Sequence, residues 1–176
     1  IFKENNAYHG RYRSYNRYLK FRILAELGYY KDALDLSEKL DDSLAADIVK
    51  NDIVFDPASN SLKEKKLEKY EVEKRRTDYA GLLITSAATY GQQGKFKEAD
   101  SVFDIAENYV RKKFRRYDPA YIDYQTERGK YEMLQLDFRD SRRQLNYAYR
   151  NSKTKFKPTH YLIYKSHKNL IDNYLA

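Results

Sequence analysis

The densest group of chemically functional side chains is a run of cations within the stretch "VRKKFRRYDPAY", where Phe114 and Tyr117 are interleaved. Basic and aromatic side chains in alternation can hold phosphate groups or an acidic partner. The same cations also suit the end of a helix, because they interact favourably with the negative end of the helix dipole. The sequence therefore predicts a basic patch that is either an anion-binding surface or a solvated helix end. Its residues are Arg111, Lys112, Lys113, Arg115 and Arg116.

Groups suited to catalysis or metal binding are sparse. His160 and His167 fall two helical turns apart, but no Cys or well-spaced carboxylate completes a set of zinc ligands. The chain has no Cys, which excludes disulfides and thiol catalysis, and it has no phosphate-cradling Gly loop. We therefore predict that the chain is not an enzyme and holds no cofactor or metal. The Asp residues between positions 41 and 56 are interpreted as part of an acidic linker.

The formal net charge of +8 is spread unevenly along the 176 residues. Residues 109–176 carry 16 Lys and Arg against 7 Asp and Glu, whereas residues 23–108 carry 12 against 18. Such a basic end can attract an acidic protein, nucleic acid or anionic lipid, or can be the solvated outside of helices. No run of 18 apolar residues is present, so we predict no transmembrane segment. The absence of Cys leaves the cellular compartment open.

Two stretches of the chain echo each other, and both read as helical hairpins. In "AELGYYKDALDLSEKL" and "ATYGQQGKFKEADSVFDIAE", a Gly is followed by an aromatic residue and then by an acidic residue and Ala. Apolar spacings of three and four predict a helix from Tyr12 to Leu27, ended by Gly28. Its predicted apolar positions are Tyr15, Tyr18, Leu19, Ile23, Leu24 and Leu27.

The hairpin pattern continues to the end of the chain. Helices are predicted from Tyr30 to about Leu40, from Tyr79 to Gln93 and from Phe96 to about Phe114. A third copy runs from residue 121 to about 149, with its turn at Leu136 and with Ser141 in the place of the small Ala. A fourth first helix, "YLIYKSHKNLIDNYLA", ends the sequence. A repeat of helical pairs is therefore predicted.

This pattern resembles the tetratricopeptide repeat (TPR). The residues of the best copy that carry the resemblance are Leu83, Ala87, Tyr90, Gly94, Phe96, Ala99, Phe103 and Ala106. The resemblance implies an all-α, right-handed solenoid of antiparallel helical hairpins with about three and a half repeats. Gly94 and Leu136 lie 42 positions apart, which is longer than the usual 34 and resembles the repeats of kinesin light chain.

We expect a single TPR-like domain over residues 1–176 that is part of a longer protein. Gly28 and Gly94 lie 66 positions apart, and the surplus falls in an irregular insertion from Asp41 to Thr77. Within it, "NDIVFDPASNSL" is predicted to be a loop because of its Pro, Ser and Asn residues, and "KEKKLEKYEVEKRR" a charged helix. A decayed extra repeat is the alternative interpretation of the insertion.

The resemblance also implies a function, which is binding of a partner's peptide or helix in the concave groove formed by the first helix of each pair. We interpret Tyr15 and Tyr18 as exposed there, and Lys and Asn of the fourth copy partly resemble a clamp for a peptide carboxylate. The predicted groove residues are Tyr15, Tyr18, Arg22, Gln92, Asp123, Lys130, Lys165, Lys168 and Asn169.

Two other functions stay open at this point. The basic C-terminal half could bind nucleic acid or an anionic membrane, although no nucleic-acid fold surrounds the basic patch. Alternatively, the chain could be the regulatory arm of a larger enzyme or signalling protein. The predicted partner is therefore a protein or peptide, with an acidic partner possible at the basic patch and nucleic acid less favoured.

Overall fold

Helices dominate the computed structural model, which describes residues 16–49, 53–56, 61–64 and 69–176, with side chains described for residues 16–40, 73, 74 and 76–176. Helix α1 includes residues 16–26. The other helices are α2 (Tyr30–Val49), α3 (Lys69–Gln92), α4 (Phe96–Lys113), α5 (Pro119–Leu134), α6 (Phe138–Lys155) and α7 (Tyr161–Leu175). The predicted all-α class is confirmed, with one short β-hairpin in addition.

The chain divides into two compact units, Ile1–Leu82 and Leu83–Ala176. Helix α3 contributes its first part to the first unit and its last part to the second. Helices α4 to α7 all belong to the second unit, in which α5 packs against α4, α6 and α7.

The core of the first unit is built by α1, α2 and α3. Tyr18, Phe21, Ala33, Leu40 and Leu82 are buried together in one cluster. The predicted apolar face of α1 was therefore partly wrong, because its members at positions 19, 23 and 27 are exposed. The exposed stripe (19, 23 and 27) and the buried stripe, which includes Tyr18 and Phe21, both have helical spacing. The buried stripe is the one that packs with the small side chain of Ala33 on α2.

The insertion contains more regular structure than predicted. Helix α2 continues to Val49, and strands β1 (Ile53–Asp56) and β2 (Ser61–Glu64) pair antiparallel, with Ile53 opposite Glu64. The loop prediction was wrong over these strands. β-branched and aromatic residues at 53–55 favour extended backbone, and the Pro, Ser and Asn at 57–60 are typical of a hairpin connection.

Three helix-to-helix turns share one backbone geometry. Gly28, Gly94 and Leu136 have positive φ angles of 83°, 71° and 64°. At each turn the following amide donates to the carbonyl five positions earlier, at 2.9–3.0 Å. This pair of features is the Schellman motif, which ends a helix by satisfying its last carbonyl groups. The turns predicted at all three positions are confirmed.

Replacing Leu136 with Gly should stabilise the second unit by about 0.5–1 kcal/mol. A residue with a side chain pays about 1–2 kcal/mol to adopt the left-handed conformation, and Gly removes this cost. Part of the gain is lost because Gly has more conformational freedom in the unfolded state. The Leu136 side chain is 73% exposed, so little packing is lost with it. Thermal unfolding followed by circular dichroism measures the change.

The neighbouring substitution Gln135→Gly is the matched control. Gln135 has a φ of −84°, so Gly brings no relief of strain there and should lower the melting temperature. Equal shifts for the two variants would contradict the assignment of strain to Leu136.

The second unit repeats itself with a period of 42 residues. The turns at Gly94 and Leu136 have this separation, and so do Phe114 and Phe156, which end α4 and α6 with the same backbone hydrogen bond at 2.9 Å. Three residues after the helix-opening aromatic, Ala99 and Ser141 are both fully buried. Small side chains at these two positions let neighbouring helices approach closely.

Candidate functional site

Three residues predicted to line the groove meet between α5 and α7. The Lys165 Nζ atom lies 2.8 Å from Asp123 Oδ1 and 3.0 Å from Glu127 Oε1. Lys130 Nζ lies 2.8 Å from Glu127 Oε2. We refer to Asp123, Glu127, Lys130 and Lys165 as the α5–α7 ion cluster. The two cations and two carboxylates neutralise each other within the protein.

The cluster shifts the titration of its members. Burial alone would raise the pKa of Glu127, but the neighbouring Lys165 and Lys130 outweigh burial and lower it below its ordinary value of 4.5. Burial likewise opposes the charged form of Lys165, yet Glu127 and Asp123 raise its pKa. Both groups are therefore charged at neutral pH and hold α5 and α7 together.

Replacing Glu127 with Gln should destabilise the second unit by about 1–2 kcal/mol at pH 7, because two partly buried ammonium groups lose a shared partner. A carboxylate whose pKa is lowered by folding stabilises the protein above its unfolded pKa, and this contribution disappears as the pH falls through the folded pKa. The difference between wild type and variant should therefore shrink below about pH 4.5. Urea unfolding across pH measures it.

The matched control removes an exposed pair on α7. Lys168 Nζ lies 2.7 Å from Asp172 Oδ2, and both side chains are largely in solvent. Asp172→Asn should leave the unfolding midpoint unchanged, because exposed ion pairs stabilise proteins little. A loss as large as that of Glu127→Gln would contradict a special role for the buried cluster.

The exposure predicted for Tyr18 was wrong. Its side chain is 6% exposed and packs in the core of the first unit. Gly81 makes room for the phenol, since a Cβ atom at Gly81 would overlap the Tyr18 hydroxyl. Tyr18 is therefore a packing residue, while Tyr15 lies outside the described residues.

The remaining predicted groove residues make local contacts. Arg22 is exposed and lies 3.8 Å from Glu26 on its own helix, and Gln92 is exposed at the end of α3. The side chain of Asn169 donates to the Lys165 carbonyl at 2.8 Å, one turn earlier in α7. Partner binding by these residues stays a prediction.

The basic patch lies at the end of α4 and in the loop that follows, and all five of its side chains are exposed. Arg111 forms an ion pair with Glu107 one turn earlier, and the Arg116 guanidinium lies 5.0 Å from the centre of the Tyr117 ring. Arg111 and its two Lys neighbours occupy the last turn of the helix, where cations favour the helix dipole.

A large cavity, not predicted from the sequence, lies between α4, α5 and α6. It has a volume of about 730 Å³, and we refer to it as the Arg–Tyr pocket. Five Arg and three Tyr side chains stand beside three carboxylates and three amides in its lining. The lining residues are Glu107, Arg111, Arg116, Tyr121, Tyr124, Gln125, Arg128, Glu132, Asp140, Arg143, Gln144, Tyr147, Arg150 and Asn151.

The floor of the pocket is fixed by Arg128. Its Nε atom lies 3.0 Å from Glu132 Oε1, and its Nη1 atom lies 3.5 Å from Asp100 Oδ1. The guanidinium lies 5.2 Å from the ring centre of Phe103 and 5.3 Å from that of Tyr131. Burial raises the pKa of Glu132, although Arg128 opposes the shift. Arg128 and Glu132 are therefore paired with each other, whereas Arg128 Nη1 and Glu132 Oε2 are buried without a hydrogen-bond partner.

The rim of the pocket holds two cations, Arg116 and Arg150, that form no ion pair with a described carboxylate. Arg143 lies 3.2 Å from Asp140, and Arg111 pairs with Glu107. Within the described ranges, by contrast, no carboxylate lies at ion-pair distance from Arg116 or Arg150. Burial, assisted by Glu107, raises the pKa of Tyr124, so this phenol stays neutral. The pocket therefore offers unpaired guanidinium groups beside phenol rings.

A sequence signal for this pocket exists. On α5, long polar and aromatic side chains recur at positions 121, 125, 128 and 132, and on α6 at 140, 143, 147 and 151. Spacings of three and four put each set on one helix face. On α5 this face is not the one that carries the predicted groove residues Asp123 and Lys130, and no groove residue was predicted on α6.

Comparisons of the chain with protein-family models, with curated proteins and with solved structures find no match. None of the helices in the described part of the chain combines the length and apolar character needed to cross a bilayer.

Proposed function

We propose that the chain is a non-catalytic protein-interaction module, built as a right-handed solenoid of TPR-like helical pairs. The proposal is supported by the 42-residue period of the second unit and by its repeated Schellman turns. Small buried residues at equivalent positions, such as Ala99 and Ser141, fit the close helix packing of such repeats.

The observation that carries the proposal is the Arg–Tyr pocket. Ligand sites are concave and commonly have volumes of about 300–1,000 Å³, a range that includes this cavity. Arg and Tyr are among the residues that contribute most to protein–protein binding, because each combines a large contact area with directional polar groups. We therefore assign the partner to the Arg–Tyr pocket.

The face of α5 and α7 is the alternative binding surface. Its charged residues pair with one another at 2.8–3.0 Å, so a partner would have to compete with existing ion pairs. Binding in the pocket requires fewer ion pairs to be broken, since Arg116 and Arg150 form none with the carboxylates that the structure describes. This difference favours the pocket.

A second candidate function is binding of nucleic acid or an anionic membrane through the basic patch. The observation that favours it is that all five cations at the end of α4 and in the following loop are exposed. Such binding would weaken steeply as salt is raised, because it depends on release of counterions.

Affinity capture at low and high salt tests the proposed function. We expect protein partners whose capture weakens with salt less steeply than capture of nucleic acid does, and that a Tyr147→Ala/Arg150→Ala double variant loses. Lys168→Ala/Asn169→Ala, on the face of α5 and α7, is the matched control and should retain them. Loss with the control variant alone would move the site to the predicted groove, and capture that nuclease abolishes would support the second candidate.

A further inference from the structure

The Arg–Tyr pocket has a chemistry that selects one class of partner. We propose that it binds an acidic peptide segment in which two carboxylates flank an apolar or aromatic side chain. This inference rests on the proposed function and names the partner segment that the same site takes.

The first argument is charge. The lining contains five guanidinium groups and three carboxylates, so it carries an excess of positive charge. Further cations lie along α6. Arg143 also lines a second cavity of about 420 Å³, together with Arg139, Arg142 and Asn146. Guanidinium groups bind carboxylates through two parallel hydrogen bonds, which makes Arg the side chain best suited to this recognition.

The second argument is spacing along α6. Arg143, Tyr147 and Arg150 follow one another at intervals of four and three, so they share one helix face. Seven residues of α-helix rise by about 10 Å. In an extended peptide every second side chain lies on the same face, so carboxylates at positions i and i+4 and the side chain at i+2 face α6 together over about 13 Å, a span that the long Arg and Glu side chains can match.

The third argument is the group between the two cations. Tyr147 is 51% exposed, although its ring is large and mostly apolar. A ring held in this position offers contact area at a low entropic cost, so an apolar or aromatic side chain between the carboxylates can pack against it. Arg143 and Arg150 thus bind the two carboxylates of the segment, and the Tyr147 ring favours an apolar or aromatic side chain between them.

Arg143 remains available although it pairs with Asp140. That pair is exposed on both sides, and such pairs contribute little free energy. A guanidinium has five N–H donors and can bond a second carboxylate without releasing the first.

The pocket's own carboxylates argue against nucleic acid as the occupant. Glu107 and Asp140 lie in the lining beside the Arg side chains. A phosphate backbone carries a charge at every nucleotide and would bring some of them against these carboxylates, whereas an acidic peptide can leave uncharged residues there.

Fluorescence anisotropy with labelled synthetic peptides tests the inference on the full chain. The probe is a Gly/Ser peptide with Glu at positions i and i+4 and Phe at position i+2, and the control peptide carries Gln in place of Glu. We expect the Glu peptide to bind at least about tenfold more tightly than the Gln peptide, a ratio that corresponds to about 1.4 kcal/mol.

The protein variants separate the pocket from general charge. Arg150→Ala should weaken binding of the Glu peptide at least about tenfold, and Arg150→Lys should restore only part of it, because an ammonium cannot form the bidentate contact. Lys153→Ala removes the same charge from an exposed position on the same helix, outside the pocket lining, and should bind as the wild type does. Circular dichroism establishes that the variants keep the native helix content.

Several results would overturn the inference. These are equal binding of the Glu and Gln peptides, no binding of either at millimolar concentration, equal losses for Arg150→Ala and Lys153→Ala, or tighter binding of a single-stranded oligonucleotide at the same Arg side chains. The proposed function fails separately, when capture yields no protein that depends on the pocket. A captured partner without acidic peptide binding would leave the proposed function standing and remove only this inference.

Discussion

Replacing Phe103 with Ala should lower the free energy of unfolding of the second unit by about 3–5 kcal/mol, the cost typical of removing a fully buried aromatic ring. Phe103 has no exposed surface. Its ring centre lies 4.9 Å from that of Tyr131 and 6.3 Å from that of Tyr124, and the Arg128 guanidinium lies over its face. The substitution leaves a cavity beneath the pocket floor, since neither α4 nor α5 can collapse into it without losing other contacts.

Urea unfolding followed by circular dichroism and by Tyr fluorescence measures this loss, because the chain has 19 Tyr and no Trp. Ile105→Ala is the control on the same helix. Ile105 is half exposed, and its truncation should change the unfolding free energy by less than about 0.5 kcal/mol. A loss below about 1 kcal/mol for Phe103→Ala would show that the aromatic cluster does not anchor the unit.

Replacing Gly129 with Val should cost about 3 kcal/mol, since it overfills a site with no free space. A Cβ atom at Gly129 would lie 2.7 Å from Leu145 Cγ and 3.2 Å from the Ser141 carbonyl oxygen. Leu145 and Ser141 are fully buried, so neither can move aside into solvent. Gly inside a helix itself costs about 1 kcal/mol relative to Ala, and close packing outweighs that preference here.

A double-mutant cycle with Leu145→Ala isolates this contact. With the Leu side chain removed, the cost of Gly129→Val should fall by at least about 1 kcal/mol, because the two changes act on the same space. Additive losses would show that Val is rejected by the helix backbone and not by Leu145.

The turns at Gly28, Gly94 and Leu136 were the most predictable part of the fold, whereas α2 and α6 run beyond their predicted ends. Gly28 and Gly94 identify their turns because a left-handed residue without a side chain ends a helix at little cost. Leu136 occupies the same conformation without that residue type, and only its alignment with the earlier copies indicates the turn. The small buried positions were predictable from the repeat as well, since Ser141 occupies the position that Ala99 has in the preceding copy, where no larger side chain fits.

The orientation of α1 could not be read from its own sequence. Leu19, Ile23 and Leu27 form as regular an apolar stripe as the residues that are buried, but they lie in solvent. Which stripe packs depends on the shape of the surface that it meets, and Gly81 provides room for Tyr18 there. Periodicity alone carries no information about that surface.

Most of the candidate site was missed for a related reason, although Arg111 and Arg116 of its lining belong to the predicted basic patch. The Arg–Tyr pocket takes residues from three helices and from the loop after α4, and each helix alone reads as an ordinary polar face. The basic patch was found because its cations are adjacent in sequence. The predicted groove was only partly located, since Asp123, Lys130 and Lys165 do assemble but neutralise each other with Glu127.

Because of its 42-residue period, the second unit can lengthen or shorten in steps of 42 residues. The loops that follow α4 and α6 begin with a Phe in the same hydrogen bond and end with matching contacts at Asp118 and His160. Joining Phe114 to Lys157 would delete one period and regenerate a loop of the same length and the same type of capping bond. Insertion or loss of whole periods within the second unit therefore preserves every junction. In evolution, such a unit can grow or shrink by duplication without new turn chemistry.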